Sequence, residues 1–278
     1  MKFWKYQGAG NDFIMLDQRD KQWITRSDIK IIEQLCHRRF GIGADGLILL
    51  QNREGYDFEM VYFNADGRES TMCGNGGRCI TAFAQHLGIA MGACHFIAID
   101  GAHEAIISPL PVKDGFWVEL KMTDVNSIEK QADAYILNTG SPHYVRFVDS
   151  IENLDMVAEG RAVRFAERWK KDGINVNLVA ETRKQQDLSL AIRTYERGVE
   201  DETLACGTGV TAAAIASYLQ NGHSSNDPEI AVQAKGGDLA VRFHANGDGT
   251  FSNIWLSGPA VRVFEGEIKS IEGSIFKP

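Results

Sequence analysis

Nowhere does this sequence run apolar for the roughly 18 residues that a membrane-spanning helix requires. Its opening Met1-Lys2-Phe3-Trp4-Lys5-Tyr6-Gln7 also lacks an apolar core of signal-peptide length, so a cytoplasmic protein without a membrane partner is expected. Positive charge is in short supply. Twenty-nine Lys and Arg against 37 Asp and Glu leave a net charge of −8, which argues against nucleic acid as a partner. Cysteine is scarce and odd in number. The five residues, Cys36, Cys73, Cys79, Cys94 and Cys206, form no disulfide framework for a chain this long and should be thiols in a reducing compartment. Neither a Cys-x-x-Cys nor a His-x-x-x-His pair occurs and the histidines are scattered, so no metal site is expected. No lysine stands out beside a phosphate-binding loop, as a pyridoxal cofactor would need. The expected cofactor complement is none.

What the chain does have is length and a repeat. At 278 residues it exceeds what one hydrophobic core usually organises, so two domains of similar size are expected. The stretch Met72-Cys73-Gly74-Asn75-Gly76-Gly77-Arg78-Cys79 has a weaker echo about 130 residues on, at Ala205-Cys206-Gly207-Thr208-Gly209. Each Cys-Gly-polar-Gly turn opens into small and apolar residues that read as a helix, Ile80 to Leu87 and Val210 to Leu219. Each therefore puts a cysteine near a helix N-terminus, where unpartnered N–H groups and the positive end of the dipole attract an anion and favour a thiolate. Taken singly, such a turn is as well explained by packing. Two with matching helices point to a carboxylate held between two helix starts, a sulfur on either side of the adjacent carbon.

The remaining elements read as short strands. Lys2 to Gln7 and Phe13 to Asp17 flank a glycine-rich turn, and Ser27 is placed to cap a helix carrying Ile29, Ile32, Leu35 and Cys36. Strands follow at Leu47 to Leu50, Tyr56 to Phe63, His95 to Asp100, His103 to Ser108 and Phe116 to Met122. The polar stretch Thr123 to Asp133 is the expected crossing, giving domains at 1–122, with a C-terminal return at 260–278, and 123–259. The second half reads as strands at Ala134 to Asn138 and His143 to Val148, helical segments at Ile151 to Ala158 and Val163 to Trp169, then strands at Ile174 to Ala180 and Leu188 to Tyr195. Past the Cys206 helix come Ile230 to Ala234, Leu239 to Phe243, Phe251 to Ser257 and Ala260 to Phe264. Strands do not alternate regularly with helices, so the class is α+β and not doubly wound.

Several other residues carry chemistry. Glu196-Arg197-Gly198 lies ten residues ahead of Cys206, as Asn64-Ala65-Asp66-Gly67 lies nine ahead of Cys73. A carboxylate beside a guanidinium grips a zwitterion, with Arg197 for its carboxylate and Glu196 for its ammonium, although an ion pair at a strand end fits the pattern equally. His143 could shift a nearby thiol, and Asn11 and Asn175 read on their own as turn or cap residues.

The segments Gly8-Ala9-Gly10-Asn11-Asp12-Phe13, Gly41-Ile42-Gly43-Ala44-Asp45-Gly46, Asn64-Ala65-Asp66-Gly67, Met72 to Cys79, Tyr195-Glu196-Arg197-Gly198 and Ala205 to Gly209, with Ser257-Gly258-Pro259-Ala260 at the end, together resemble the diaminopimelate epimerase family. They follow that family's order and spacing. The resemblance implies two pseudo-symmetric domains, each a central helix wrapped by mostly antiparallel strands. It also implies a cofactor-free enzyme, usually a homodimer, that interconverts LL- and meso-2,6-diaminopimelate in lysine and peptidoglycan precursor synthesis. By position, Cys73 and Cys206 would be the acid/base thiols. Gly74, Asn75, Gly207 and Thr208 would hold the reacting carboxylate through backbone N–H groups, and Asn11, Asn64, Asn175, Glu196 and Arg197 would bind the substrate. His143 and Glu196 would tune the thiols. Two positions depart from the pattern: Gly46 stands where some members have a substrate-contacting Gln, and Ser141 where many have Asn. A sibling racemase of the proline type, or a protein whose cysteines only pair or pack, are the rival readings.

Overall fold

The computed structural model describes residues 1–184, 187–222 and 225–269; of the expected return at 260–278, residues 270–278 lie outside them. Contacts group the chain into two units, Met1–Val118 with the chain from Ala260 onward, and Glu119–Pro259.

The first unit holds β1 (Lys2–Gly8), β2 (Asn11–Asp17), α1 (Ile29–Cys36), β3 (Gly46–Gln51), β4 (Phe58–Asn64), β5 (Glu69–Ser70), α2 (Gly74–His86), β6 (Ala93–Ala98) and β7 (Gly101–Pro109), with β8 (Gly115–Lys121) running across the division. β1 and β2 pair antiparallel, β2 and β3 parallel, β3 and β4 antiparallel, β4 and β5 antiparallel, β4 and β6 parallel, and β6 and β7 antiparallel. Each parallel pair is bridged by a helix, because two parallel neighbours cannot be joined by a tight turn.

The second unit contains β9 (Ile128–Lys130), β10 (Ala134–Asn138), β11 (Pro142–Phe147), α3 (Met156–Arg164), β12 (Asn175–Lys184), β13 (Asp187–Glu196), β14 (Asp201–Thr203), α4 (Gly207–Asn221), β15 (Glu229–Ala234), β16 (Gly237–Ala245) and the first part of β17 (Phe251–Glu267). The pairing repeats strand for strand. β10 and β11 are antiparallel, β11 and β12 parallel, β12 and β13 antiparallel, β13 and β14 antiparallel, β13 and β15 parallel, and β15 and β16 antiparallel. The α+β expectation holds, in two copies of one plan.

In each copy the sheet has two faces. β3 shows why its sequence is an unbroken apolar run: Leu47 and Leu49 join the cluster with Ile32, Leu35 and Cys36 of α1, while Ile48 reaches Gly76 of α2. α2 is buried from Asn75 through Ala84 and packs against β1, β2, β3 and β7. Its Phe83 sits 5.0 Å from Trp4 and 5.7 Å from Tyr6 between ring centroids. Burying that ring contributes about 1.5–3 kcal/mol from area alone. α4 is enclosed in the same way, its Gly207 and Gly209 to Ser217 buried against β10 to β13, β15 and β16. Helices this enclosed carry small and apolar residues all round rather than a single stripe.

The structure corrects several boundaries. Both central helices begin immediately after the cysteines, at Gly74 and Gly207, so the glycine turns are themselves the first helical turns. α1 is capped at Asp28 and not Ser27, and the Asp28 carboxylate accepts from the Thr25 N–H at 2.8 Å and its hydroxyl at 2.6 Å. One helix, α3, replaces the two segments expected between Ile151 and Trp169. The Asp155 side chain caps it, accepting from the Ala158 N–H at 3.0 Å. β17 is a single strand through Gly258-Pro259, and the polar stretch Thr123 to Asp133 contains β9, paired with β10.

Candidate functional site

In both units the chemistry-bearing residues collect at one end of the sheet, where α2 or α4 starts. Asn11 opens β2, Gly46 opens β3, and Asn64, paired with Gly46, closes β4. In the second copy Pro142-His143 opens β11, Asn175 opens β12 in register with His143, and Glu196 closes β13.

Cys73 is the N-cap of α2, with extended φ −95° and ψ 133°, and its carbonyl accepts from the Gly77 N–H at 2.7 Å. Cys206 caps α4 in nearly the same conformation, φ −107° and ψ 109°, with Val210 N–H donating at 2.9 Å. Neither first turn carries an acidic residue, so nothing within the helix offsets the positive end of its dipole. The N–H groups of Gly74 and Asn75 and of Gly207 and Thr208 open the first turns of the two helices, ahead of the point where the intrahelical ladder begins. The other three thiols are different in kind. Burial pushes Cys36 and Cys94 up to about 12 and raises Cys79 further, so these pack and stay protonated.

Around Cys73, Asn11 is held with a fixed orientation. Its Nδ2 donates to Asp45 Oδ2 at 2.6 Å, which turns Oδ1 toward Asn75 Nδ2 at 3.1 Å and the Cys73 sulfur at 4.0 Å. Asp45 is bound in turn by Arg38, which also grips Asp12, and the buried Lys5 pairs with Asp12 at 2.9 Å and with the Gly43 carbonyl. Lys5 and Arg38 hold the Asp12 carboxyl below the ordinary carboxylate range against the opposing effect of burial. Asn64 stands apart and exposed, its backbone closing the turn with Gly67 and Arg68. At Gly46 a Cβ would lie 2.5 Å from the Phe63 carbonyl oxygen and 2.6 Å from the Tyr62 ring. The Tyr62 ring takes the space in which a longer side chain at 46 would begin.

Around Cys206 the links run through His143, which is fully buried. Its Nε2 lies 2.8 Å from Thr208 Oγ1, which lies 3.5 Å from the Cys206 sulfur. Its Nδ1 lies 3.1 Å from Asn177 Nδ2, which also donates to the Tyr144 carbonyl at 3.0 Å while Asn177 Oδ1 accepts from Thr194 at 3.0 Å. The Tyr144 carbonyl can only accept, so the amide orientation is set, Nδ1 is the acceptor, and the imidazole proton sits on Nε2. Burial is the main cause that pushes His143 down to about 3, with the Arg197 charge acting in the same direction and Asn177 against it. At neutral pH it is uncharged. Thr208 accepts from it and keeps a hydroxyl proton and a lone pair for the sulfur.

Asn175 braces the neighbouring corner. Its Oδ1 accepts from the Arg197 N–H at 2.8 Å, and its Nδ2 donates to Ser141 Oγ at 2.9 Å and the Pro142 carbonyl at 3.0 Å. The exposed Arg197 guanidinium donates to the Asp172 carbonyl at 2.9 Å and to Ser141 Oγ at 3.3 Å, so Ser141 joins the two expected binding residues. Burial raises the Glu196 carboxyl above its usual range, partly offset by Thr203.

The structure thus gathers Asn11, Cys73, Gly74 and Asn75 in one unit and His143, Asn175, Arg197, Cys206, Gly207 and Thr208 in the other. Asn177 and Thr194 carry no signal in the sequence, since a buried amide or hydroxyl belongs to no motif; Arg78 lies within the Met72 to Cys79 motif, but only its burial singles it out. Among the described residues no three His, Cys, Asp or Glu side chains gather as a metal-binding group, and no helix is long and apolar enough to cross a membrane.

Comparison with known proteins places this arrangement. The sequence profile of the family described as diaminopimelate epimerase matches residues 3–101 and 135–263. The diaminopimelate epimerase of Flavobacterium psychrophilum is 48% identical over 95% of this chain and 99% of its own, and that of Aquifex aeolicus 35% identical over 96% and 98%. Among solved structures, a phenazine biosynthesis protein of the PhzF family from Bacillus anthracis has a TM-score of 0.75 at 13% identity, covering 96% of this chain and 98% of its own. A hydroxyproline epimerase from Agrobacterium vitis has a TM-score of 0.67 at 12% identity, covering 96% and 91%; at such identity the likeness is one of fold. From the profile and the identity across nearly its whole length, the chain belongs to the diaminopimelate epimerase family.

Proposed function

We propose that this protein is a cofactor-independent epimerase that interconverts LL- and meso-2,6-diaminopimelate by moving the α-proton between Cys73 and Cys206, as a cytoplasmic homodimer supplying lysine and peptidoglycan precursors. The observation that carries the reading is the paired N-cap: each half ends its site-bearing sheet edge at a helix whose first N–H groups follow a cysteine and a glycine. Deprotonating an amino acid at Cα builds charge on its carboxylate. N–H groups at two helix starts, on Gly74 and Asn75 and on Gly207 and Thr208, stabilise that charge where it develops.

The two sulfurs work as one thiolate and one thiol that exchange roles with the direction of reaction. The thiolate takes the Cα proton and the electron pair passes into the carboxylate. The thiol then gives its proton to the opposite face, leaving the charge on the second sulfur. Thr208, with a donor and an acceptor both to spare, serves either protonation state of Cys206. The distal end of the substrate carries its own ammonium and carboxylate. Asn11, Asn64, Asn175, Glu196 and Arg197 are the proposed substrate-binding residues, with Glu196 and Arg197 gripping that second end, which a proline-type racemase would not require. Closure around the substrate excludes water from the reacting carbon.

Incubating the purified, thiol-reduced protein with LL-diaminopimelate and no added cofactor tests the reading. Formation of the meso isomer by wild type, and its loss in Cys73→Ala and in Cys206→Ala with substrate binding retained, is the expected result. Full turnover by either variant would refute it.

A further inference from the structure

Arg78 is the largest fully buried side chain among the described residues, and the proposed reaction leaves it without a task. It sits one turn into α2, directly behind the Cys73 cap. Its Nη2 donates to Asn75 Oδ1 at 2.8 Å and its Nη1 to the Gly74 carbonyl at 3.3 Å, while Nε has no partner. Both acceptors are neutral, and among the described residues no carboxylate pairs with it. A buried guanidinium without a counter-charge is costly, and the two groups whose negative forms would act favourably on it are the thiols of Cys73, which caps the helix one turn ahead of it, and of Cys79, its neighbour in sequence. Cys79 is fully enclosed and stays protonated despite the neighbouring charge. Cys73 is only half-buried, so its sulfur is the one that can ionise.

The second copy shows what is particular about this. Counting from the cysteine, the residue matching Arg78 is Thr211, whose hydroxyl donates to the Gly207 carbonyl at 3.0 Å. That carbonyl corresponds to the Gly74 carbonyl bound by Arg78. One half of the repeat puts a permanent cation on the first-turn carbonyl and the other a neutral hydroxyl.

Resting on the two-thiol reading, we propose that Arg78 is a positioning residue that fixes the Asn75 amide and biases Cys73 toward its thiolate, so that at rest Cys73 is ionised and Cys206 carries the proton. Of the other charges on this side, Asp12 and Asp45, reached through Asn11, are bound by Lys5 and Arg38, and Asp100, which accepts from the Met72 N–H at 3.4 Å, lies 3.3 Å from His103 Nε2. On the Cys206 side stands the neutral His143, linked to the sulfur through Thr208, with the Arg197 charge acting on that ring. The Arg197 charge is exposed and screened by solvent and salt, whereas the Arg78 charge is not.

The test is the pH dependence of iodoacetamide alkylation of the reduced, substrate-free protein, with each cysteine followed separately by peptide mass spectrometry. The pH of half-maximal rate depends on ionisation and not on how exposed the sulfur is. In wild type, Cys73 should show the lower midpoint. Arg78→Met should raise it by about one unit or more, slowing alkylation of Cys73 about tenfold below the midpoint, and leave Cys206 in place. Arg78→Lys, which keeps a charge, should restore most of the low value. A wild-type midpoint for Cys206 below that of Cys73 would overturn the proposal, as would an unmoved Cys73 midpoint in folded Arg78→Met. Should Arg78→Met fail to fold by circular dichroism, the wild-type order and the Lys variant decide. The readout needs no turnover: failure to epimerise with this midpoint order intact would sink the reaction and not Arg78's role, and turnover with the order reversed would do the opposite.

Discussion

Burial keeps His143 neutral, and that has a consequence that can be measured without substrate. The folded protein holds His143 down to about 3, below the 6.5 of a free imidazole, so folding favours its neutral form. The contribution to stability is therefore present above about pH 6.5 and is lost as pH falls from there toward 3, because the unfolded chain takes up a proton that the folded one refuses. Urea denaturation at pH 7 and at pH 4.5 checks this. Wild type should lose more stability over that interval than His143→Gln, which has nothing to titrate there; equal losses would mean that the ring is not held neutral. Little of this was legible in sequence. Cys73 and Cys206 announce themselves through the glycines that follow them, whereas Asn177 and Arg78 resemble any strand amide and any surface arginine until burial is known.

At the scale of the element, the starts of α2 and α4 show why the helices were read as beginning several residues late. Gly-Asn-Gly-Gly and Gly-Thr-Gly are poor helix formers, and propensity alone assigns them to a loop. Packing overrides that, since a side chain at these glycines would meet the wall of the sheet. A Cβ on Gly76 would lie 3.1 Å from Ile48 Cδ1, and one on Gly209 would overlap Asn177 Oδ1 and come to 3.4 Å from His143. Gly209→Ala should thus cost about 1–3 kcal/mol in urea denaturation and lower kcat, because it presses on the Asn177 and His143 pair behind the sulfur. Gly222→Ala is the control. It ends α4 in the left-handed region at φ 62° with open space around it, and should cost about 1 kcal/mol with kcat unchanged. Equal effects of the two on kcat would remove the link between close packing and the thiol site.

At the scale of the whole molecule the organising fact is duplication. The order of antiparallel and parallel pairings in β1 to β7 recurs in β10 to β16, with an outer and a central helix inserted at matching points. The sequence shows this at the two cysteine turns and at the polar turns ahead of them, Asn64 to Gly67 and Glu196 to Gly198; elsewhere the halves share a pattern of burial and not residues, so short strands such as β5 and β14 leave no trace in it. Mild oxidation should abolish activity and a thiol reductant restore it, and activity indifferent to verified oxidation of Cys73 and Cys206 would count against their shared role.

The most direct measurement follows the hydrogen itself. LL-diaminopimelate is converted in deuterium oxide to less than a tenth of completion, and Cα deuterium is read in product and in residual substrate by mass spectrometry. Transfer between two separate sulfurs puts one solvent deuterium into the meso product at the inverted centre while the remaining LL substrate stays protiated. Deuterium accumulating equally in unreacted LL substrate would mean that a single group both removes and returns the proton, and would contradict the account.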